Sequence, residues 1–362
     1  MTTQTKIGIG LFASILVIAG IISSISPKPS GNKTIPKLPN SSNPAVISFG
    51  SSSSLPILAD AMPPFAGITH WWNTPNNAPL TPADLRGKVV LVDFWTYSCI
   101  NCIRTYPFLK SIWAKYADKG LVIIGVHTPE FAFEKEPTNI SAEITKNGLM
   151  YPIALDPDYG TWNAYANNSW PAEYLFDRQG RLRNVHLGEG DYDQSETDIR
   201  QLLEADSSVQ LGAAGNQGSM PDFSKIKTGE TYFGLARGSA FMGIPGSAGV
   251  DTSYNPVREP NIDANKWLAG GTWKFENEYI ETRSSNDLFR FSVQASKMHI
   301  VMASSDGTDK TIEVFVDGVK TRDLTINQST LYTIAEFPDA GRHTVEIRVH
   351  DAGVQFYAAT FS

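Results

Sequence analysis

The chain has 362 residues, with 30 basic against 37 acidic side chains and a net charge of −7 at neutral pH. That length points to two domains with non-globular segments, and the charge balance offers no general pull toward nucleic acid. Hydrophobic residues at 41 % exclude wholesale disorder, and only two cysteines exclude a disulfide framework.

Ile7 to Ile25 carries no charge over 19 residues. As a helix it would span about 28 Å, roughly one hydrocarbon core. A cleaved export signal and an uncleaved anchor compete for this segment. The long apolar run and the proline in Ser24-Ile25-Ser26-Pro27 favour the anchor. Residues 1–26 thus read as a single membrane segment. Residues 27–64, rich in Ser, Pro, Asn and Gly, read as a disordered tether. Lys6 on one flank and Lys28, Lys33 and Lys37 on the other do not set an orientation. The signal-like position itself implies export, with the domains on the extracytoplasmic side of a cell membrane.

Residues 65–206 read as an α/β domain. Lys88 to Trp95 is a continuous apolar run, the mark of a buried strand. A helix is expected from Arg104 to Lys119, ended by Gly120, and a second buried strand over Leu121–Val126. Further helices are expected over Pro137–Asn147, Thr161–Ala166 and Ser195–Glu204. Further strands are expected over Tyr151–Leu155, Glu173–Phe176 and Leu182–Leu187.

Cys99-Ile100-Asn101-Cys102 stands directly after the first buried strand, at a helix start. A helix N-terminus favours a thiolate, and a thiol one turn on can resolve a mixed disulfide. Structural zinc needs four ligands, and no second cysteine pair exists. A c-type haem site needs His after the second cysteine, where Ile103 stands. Neither a metal nor a cofactor is expected. A purely structural disulfide remains the alternative.

The run Val92-Asp93-Phe94-Trp95-Thr96-Tyr97-Ser98-Cys99-Ile100-Asn101-Cys102 resembles the active-site strand and helix start of thioredoxin-fold proteins. More narrowly it is similar to the soluble part of DipZ-type proteins, near the TlpA-like thiol–disulfide oxidoreductases. The resemblance continues through Gly125-Val126-His127-Thr128-Pro129-Glu130-Phe131, Trp170-Pro171-Ala172-Glu173-Tyr174 and Gly188-Glu189-Gly190. It implies that Asp93 accepts and returns the proton of Cys102. It also implies that Pro171 is a cis-proline presenting the Trp170 backbone to a substrate peptide. Trp95 and Tyr97 flank the motif, either as candidate substrate contacts or as core aromatics. Glu130, after the second strand, is a candidate for tuning the cysteine pKa values. His127 is a weaker candidate, and His70 and His186 read as structural. DipZ-type proteins carry a CcdA-like membrane domain ahead of the thioredoxin part. Here a single apolar segment stands instead, so electrons would come from a separate CcdA-like partner.

Residues 207–227 read as a second linker. Residues 228–362 read as an all-β sandwich of jelly-roll type, which resembles the carbohydrate-binding-module-like C-terminal domain of DipZ-type proteins. Strands are expected over Thr231–Ala236, Gly271–Tyr279, Leu288–Gln294, Met298–Ser304, Thr311–Val316, Leu331–Ile334, His343–Val349 and Gln355–Phe361. Trp267, Trp273, Tyr279 and Tyr254 are the aromatics available for a cell-surface glycan.

The leading expectation is a membrane-tethered, extracytoplasmic thiol–disulfide oxidoreductase acting on protein disulfides. The pair Ile100-Asn101 lacks the His of a strong oxidant, and with Asp93 present this leans toward the reducing direction. The alternatives are a cell-surface glycan-binding protein with a structural cysteine pair, or a thiol peroxidase.

Overall fold

The computed structural model describes residues 55–206, 208–255, 262–339 and 341–362. The apolar segment from Ile7 to Ile25 lies outside them. Among the described residues no helix is long and apolar enough to cross a membrane.

The first domain is a six-stranded sheet. Its strands are β1 (His70–Trp72), β2 (Val89–Trp95), β3 (Leu121–His127), β4 (Ile153–Leu155), β5 (Ala172–Phe176) and β6 (Leu182–Leu187). Their order is β1-β4-β3-β2-β5-β6. The central β2 is buried at all seven positions, as its unbroken apolar run requires, with parallel β3 on one side and antiparallel β5 on the other. Helices α1 (Ile100–Tyr116), α2 (Pro137–Asn147) and α4 (Tyr192–Glu204) share one core with the face of β2 that carries Val89, Leu91 and Trp95. Helix α3 (Gly160–Ala164), with Trp71 and Met62, covers the opposite face at Val90, Val92 and Phe94. Helix α2 starts at Pro137, whose missing N–H costs nothing there, and stops at Gly148, whose φ of 60° suits glycine.

Three differences from the sequence reading have local causes. Helix α1 begins at Ile100, four residues early, so the cysteine motif lies in its first turn. Strand β1 is only three residues long and escapes periodicity. Leu55 to Pro64 is not free chain: Leu58 N–H donates to the Leu182 carbonyl at 2.8 Å, and Met62 is buried. Unpaired groups on the β6 edge give this segment a partner that composition alone does not reveal.

The second domain is antiparallel throughout its main sheet. Its strands are β7 (Thr231–Tyr232), β8 (Asp251–Tyr254), β9 (Trp267–Phe275), β10 (Ile280–Thr282), β11 (Leu288–Val293), β12 (Lys297–Ser304), β13 (Lys310–Val316), β14 (Val319–Ile326), β15 (Thr330–Glu336), β16 (His343–Val349) and β17 (Val354–Phe361). The main path runs β14-β13-β16-β11-β9-β10-β17-β12-β15. Strand β9 pairs with β11 through its first half and with β10 through its second, so one long strand joins both halves of the sheet. Both halves close on one core, in which Phe289 lies 5.6 Å from Trp267 and 5.2 Å from Phe356. Trp267 and Trp273 are core residues there, 1 % and 0 % exposed, so neither offers a face to a sugar.

The described residues form one compact unit. Phe131 and Phe133, after β3, pack on Tyr357 of β17 at ring separations of 5.1 and 4.8 Å. Residues between the domains are held to the first: Gly215 N–H donates to Glu196, and Arg200 to the Gly212 carbonyl, each at 2.9 Å.

Candidate redox site

Cys99 is the N-cap of α1, with extended φ and ψ of −78° and 117°, and it is half-buried. Cys102, one turn on, is fully buried, and both cysteines are free thiols. The first turn is fixed from two sides. The Thr105 hydroxyl donates to the Cys102 carbonyl at 2.7 Å. Arg104 reaches back to Asn101 Oδ1 at 2.6 Å and forks onto Glu189 at 2.5 and 2.7 Å. That bidentate pair is shielded, at 15 % and 5 % exposure, and ties the motif to the turn between β6 and α4.

Asp93 lies on β2, six residues before Cys99, with no exposed surface and, among the described residues, no hydrogen-bond partner for either carboxylate oxygen. Burial, then the neighbouring Glu173 carboxylate, push its pKa well up. Burial, then Cys99 beside it, push the Cys102 thiol well up, and the Asp93 charge adds to this. Gly125 is opposite Asp93 on β3, and a Cβ there would meet Trp95 Nε1 at 2.9 Å and Tyr151 Cε2 at 3.1 Å. The glycine thus admits two rings beside the acid.

The Trp170–Pro171 peptide is cis. Ala172 pairs with Phe94, so Pro171 stands just beyond the end of β2 from which the cysteine loop departs. Pro171 is buried and Trp170 half-buried. The Trp170 indole N–H donates to the Thr128 carbonyl at 3.0 Å. The structure therefore gathers Asp93, Cys99, Cys102 and the Trp170–Pro171 turn at one end of the sheet.

Four expected site residues are placed otherwise. Trp95 and Tyr97 are 0 % and 1 % exposed and pack against His127 at 4.9 and 5.6 Å, so they are core and present no surface to a substrate. His127 is buried too, and its pKa is pushed down to about 3, which leaves it neutral. Glu130 faces the second domain, accepting from the Tyr232 hydroxyl at 2.7 Å and from Arg237 at 2.8 Å.

Glu134 was not legible in the sequence. It accepts from the Ser98 hydroxyl at 2.6 Å and from Ser98 N–H at 3.3 Å. Its other oxygen takes the N–H groups of Glu130 and Phe131, at 2.6 and 2.9 Å. Burial, then the Glu130 charge, raise its pKa to about 7. The residue before Cys99 is thus held by the turn that packs on Tyr357. A Glu four residues beyond another Glu carries no signal; only the fold brings it to Ser98. Among the described residues no cluster of side chains could hold a metal ion.

A half-buried N-cap cysteine and a buried partner on this α/β sheet form a thioredoxin-like arrangement, and over this domain the chain is similar to redoxins and thiol–disulfide oxidoreductases. Residues 59–185 match the AhpC/TSA family, and residues 228–362 match a thioredoxin-like C-terminal domain. More narrowly the chain is similar to DipZ: the Mycobacterium tuberculosis protein is 38 % identical over 303 residues, 83 % of this chain and 42 % of DipZ. The chain thus spans less than half of that relative's length. The thiol-disulfide oxidoreductase YkuV of Bacillus subtilis is 29 % identical over 147 residues, 40 % of this chain and 96 % of YkuV. The solved structure of a thiol-disulfide isomerase from Corynebacterium glutamicum is 25 % identical with a TM-score of 0.34, covering 40 % of this chain and 97 % of that one.

Proposed function

We propose that the chain exchanges dithiol for disulfide with protein substrates through Cys99 and Cys102, in the reducing direction, on the extracytoplasmic side of a membrane to which residues 1–26 tether it. The observation that carries this reading is the asymmetry of the two sulfurs. Cys99 stands half-buried at the positive end of α1, where a sulfur anion is best tolerated, and Cys102 lies sealed behind it. Cys99 attacks a substrate disulfide; Cys102 then attacks Cys99 and releases the reduced substrate. Asp93 takes the proton of Cys102. The substrate peptide lies along the Trp170 backbone at Pro171.

The reducing direction rests on Ile100-Asn101, which offers no cation beside the thiolate, and on Asp93. Electrons reach the site from a CcdA-like membrane partner. We read the second domain as a docking scaffold of jelly-roll kinship, with its two half-sheets around one core.

The test is a Cys102→Ser full-length chain incubated with insulin. It is expected to accumulate a mixed disulfide through Cys99, released by dithiothreitol, whereas Cys99→Ser traps nothing. A structural cysteine pair would trap nothing in either variant. The potential of the pair then reads the direction: about −270 mV or lower for a reductant, about −120 mV for a disulfide donor.

A further inference from the structure

Buried Asp93 poses a proton-transport problem. A base that takes the Cys102 proton must return it to water, and Asp93 has no exposed surface. From the register of the first sheet and the packing of α4 we infer that Glu173 is the second station of a proton path running from Cys102 through Asp93 to solvent beside α4. This rests on the exchange reaction proposed above.

Glu173 is directly opposite Asp93 in the β2/β5 pairing, so both carboxylates project from the same face. It is itself only 5 % exposed. On its other side it is opposite His186 in the β5/β6 pairing, and it accepts a 3.4 Å hydrogen bond from the Ser195 hydroxyl of α4. Glu173, Ser195, Asn184 and His186 line a small cavity there, and His186 is only half-buried. Neither carboxylate forms a salt bridge among the described residues.

The other groups facing this pair leave it the part. Tyr106 and Tyr151 have pKa values pushed well up by burial, and they stay protonated. Tyr192 is also raised, chiefly by burial. Asp198 is bound by Asn184 at 2.6 Å and Gln194 at 2.7 Å. Burial raises the Glu173 pKa to about 7, the range in which a relay both takes and gives protons at neutral pH. Two adjacent buried carboxylates resist double ionisation, so the pair holds one proton between them.

In the resolving step the Cys102 thiol gives its proton to Asp93. The Cys102 thiolate attacks Cys99, the Cys99–Cys102 bond forms, and the bond from Cys99 to the substrate sulfur breaks. The electron pair leaves with that sulfur. The enzyme dithiol is oxidised by two electrons and the substrate disulfide is reduced by two. Glu173, which holds the pair's proton while Asp93 is ionised, releases it at the cavity and takes the Asp93 proton in its place. Glu173 touches no reacting atom and acts through Asp93.

The test uses the full chain, reduced and mixed with dithionitrobenzoate in a stopped-flow instrument across pH 5 to 9 (about; the range brackets the shifted carboxylates). The first thionitrobenzoate released reports attack by Cys99, and the second reports resolution by Cys102. Glu173→Gln is expected to keep the first rate, slow the second about tenfold at neutral pH, and lose the inflection near pH 7 (about) from its profile. A second phase with the wild-type rate and profile overturns the inference, as does a uniform slowing at every pH. If Glu173→Gln does not fold, Glu173→Asp decides: the inflection persists, displaced, if a carboxylate is the relay, and its absence overturns the inference. A wild-type chain that releases no second thionitrobenzoate refutes the exchange reaction instead.

Discussion

Tyr357→Ala is expected to uncouple the two domains while leaving each folded. Tyr357 is 5 % exposed and meets Phe131 and Phe133 of the first domain at 5.1 and 4.8 Å. Truncating a buried aromatic ring costs about 3–5 kcal/mol. The polar contacts around it are weaker: the Glu130–Arg237 pair leaves the arginine 42 % exposed, and such pairs contribute about 1 kcal/mol or less. Against a domain stability of about 5–15 kcal/mol, losing the ring removes most of the free energy that makes the domains unfold together. Hydrogen exchange read by mass spectrometry across a urea titration follows β2 and β9 separately. In the wild type the two strands should lose protection together. In the variant β2 should open at lower urea than β9. Coincident opening at an unchanged midpoint would refute the reasoning. Phe131 and Phe133 lie just before Glu134 in the turn that holds Ser98, so the variant should also slow attack by Cys99.

Two further substitutions probe the buried acids. The Asp93 pKa is raised in the folded chain, so the folded state binds more protons than the unfolded one between the ordinary carboxylate pKa and the raised value. Wild-type stability therefore falls as pH rises through that window, and Asp93→Asn should gain on the wild type in urea midpoint at alkaline pH but not at acid pH. An equal gain at both would count against an ionised Asp93. Glu134→Gln replaces an oxygen that accepts N–H or O–H donors with an NH₂ group, which should cost about 2–4 kcal/mol. Because the Glu134 pKa is raised to about 7, the wild type loses stability as pH rises from the ordinary carboxylate range through that value, so the deficit should be smaller at alkaline pH than at acid pH, and a pH-independent deficit in urea midpoint would show that the charge is not involved.

What the sequence discloses is contiguous. β2, the cysteine pair and α2 are each written in one unbroken stretch, as an apolar run, a spacing or a Pro-to-Gly bracket. What it conceals is assembled across distance. Ser98 and Glu134 are 36 residues apart, and Glu173 has meaning only through the β2/β5 register. Trp95 and Tyr97 misled because aromatics beside a reactive cysteine look alike whether they face a substrate or the core. Only packing against His127 separates the two. Strand β14 eluded periodicity because it is exposed at most of its eight positions and carries Lys320, Arg322 and Asp323, the charged dress of an edge strand. The hairpin turn before it is Asp317-Gly318, a pair suited to the positive φ that both residues take there.

The two cysteines of the motif are the only ones in the chain, and of the pair only Cys99 has access to solvent. For an exchange enzyme this fixes the order of events. Donor and acceptor must visit the same sulfur in turn, so no complex containing both can be productive. Initial rates should give parallel lines in double-reciprocal form, and excess of either partner should inhibit the other. Each molecule stores one electron pair and must unload before it reloads. The supply of reductant, as much as the affinity for substrate, then governs turnover.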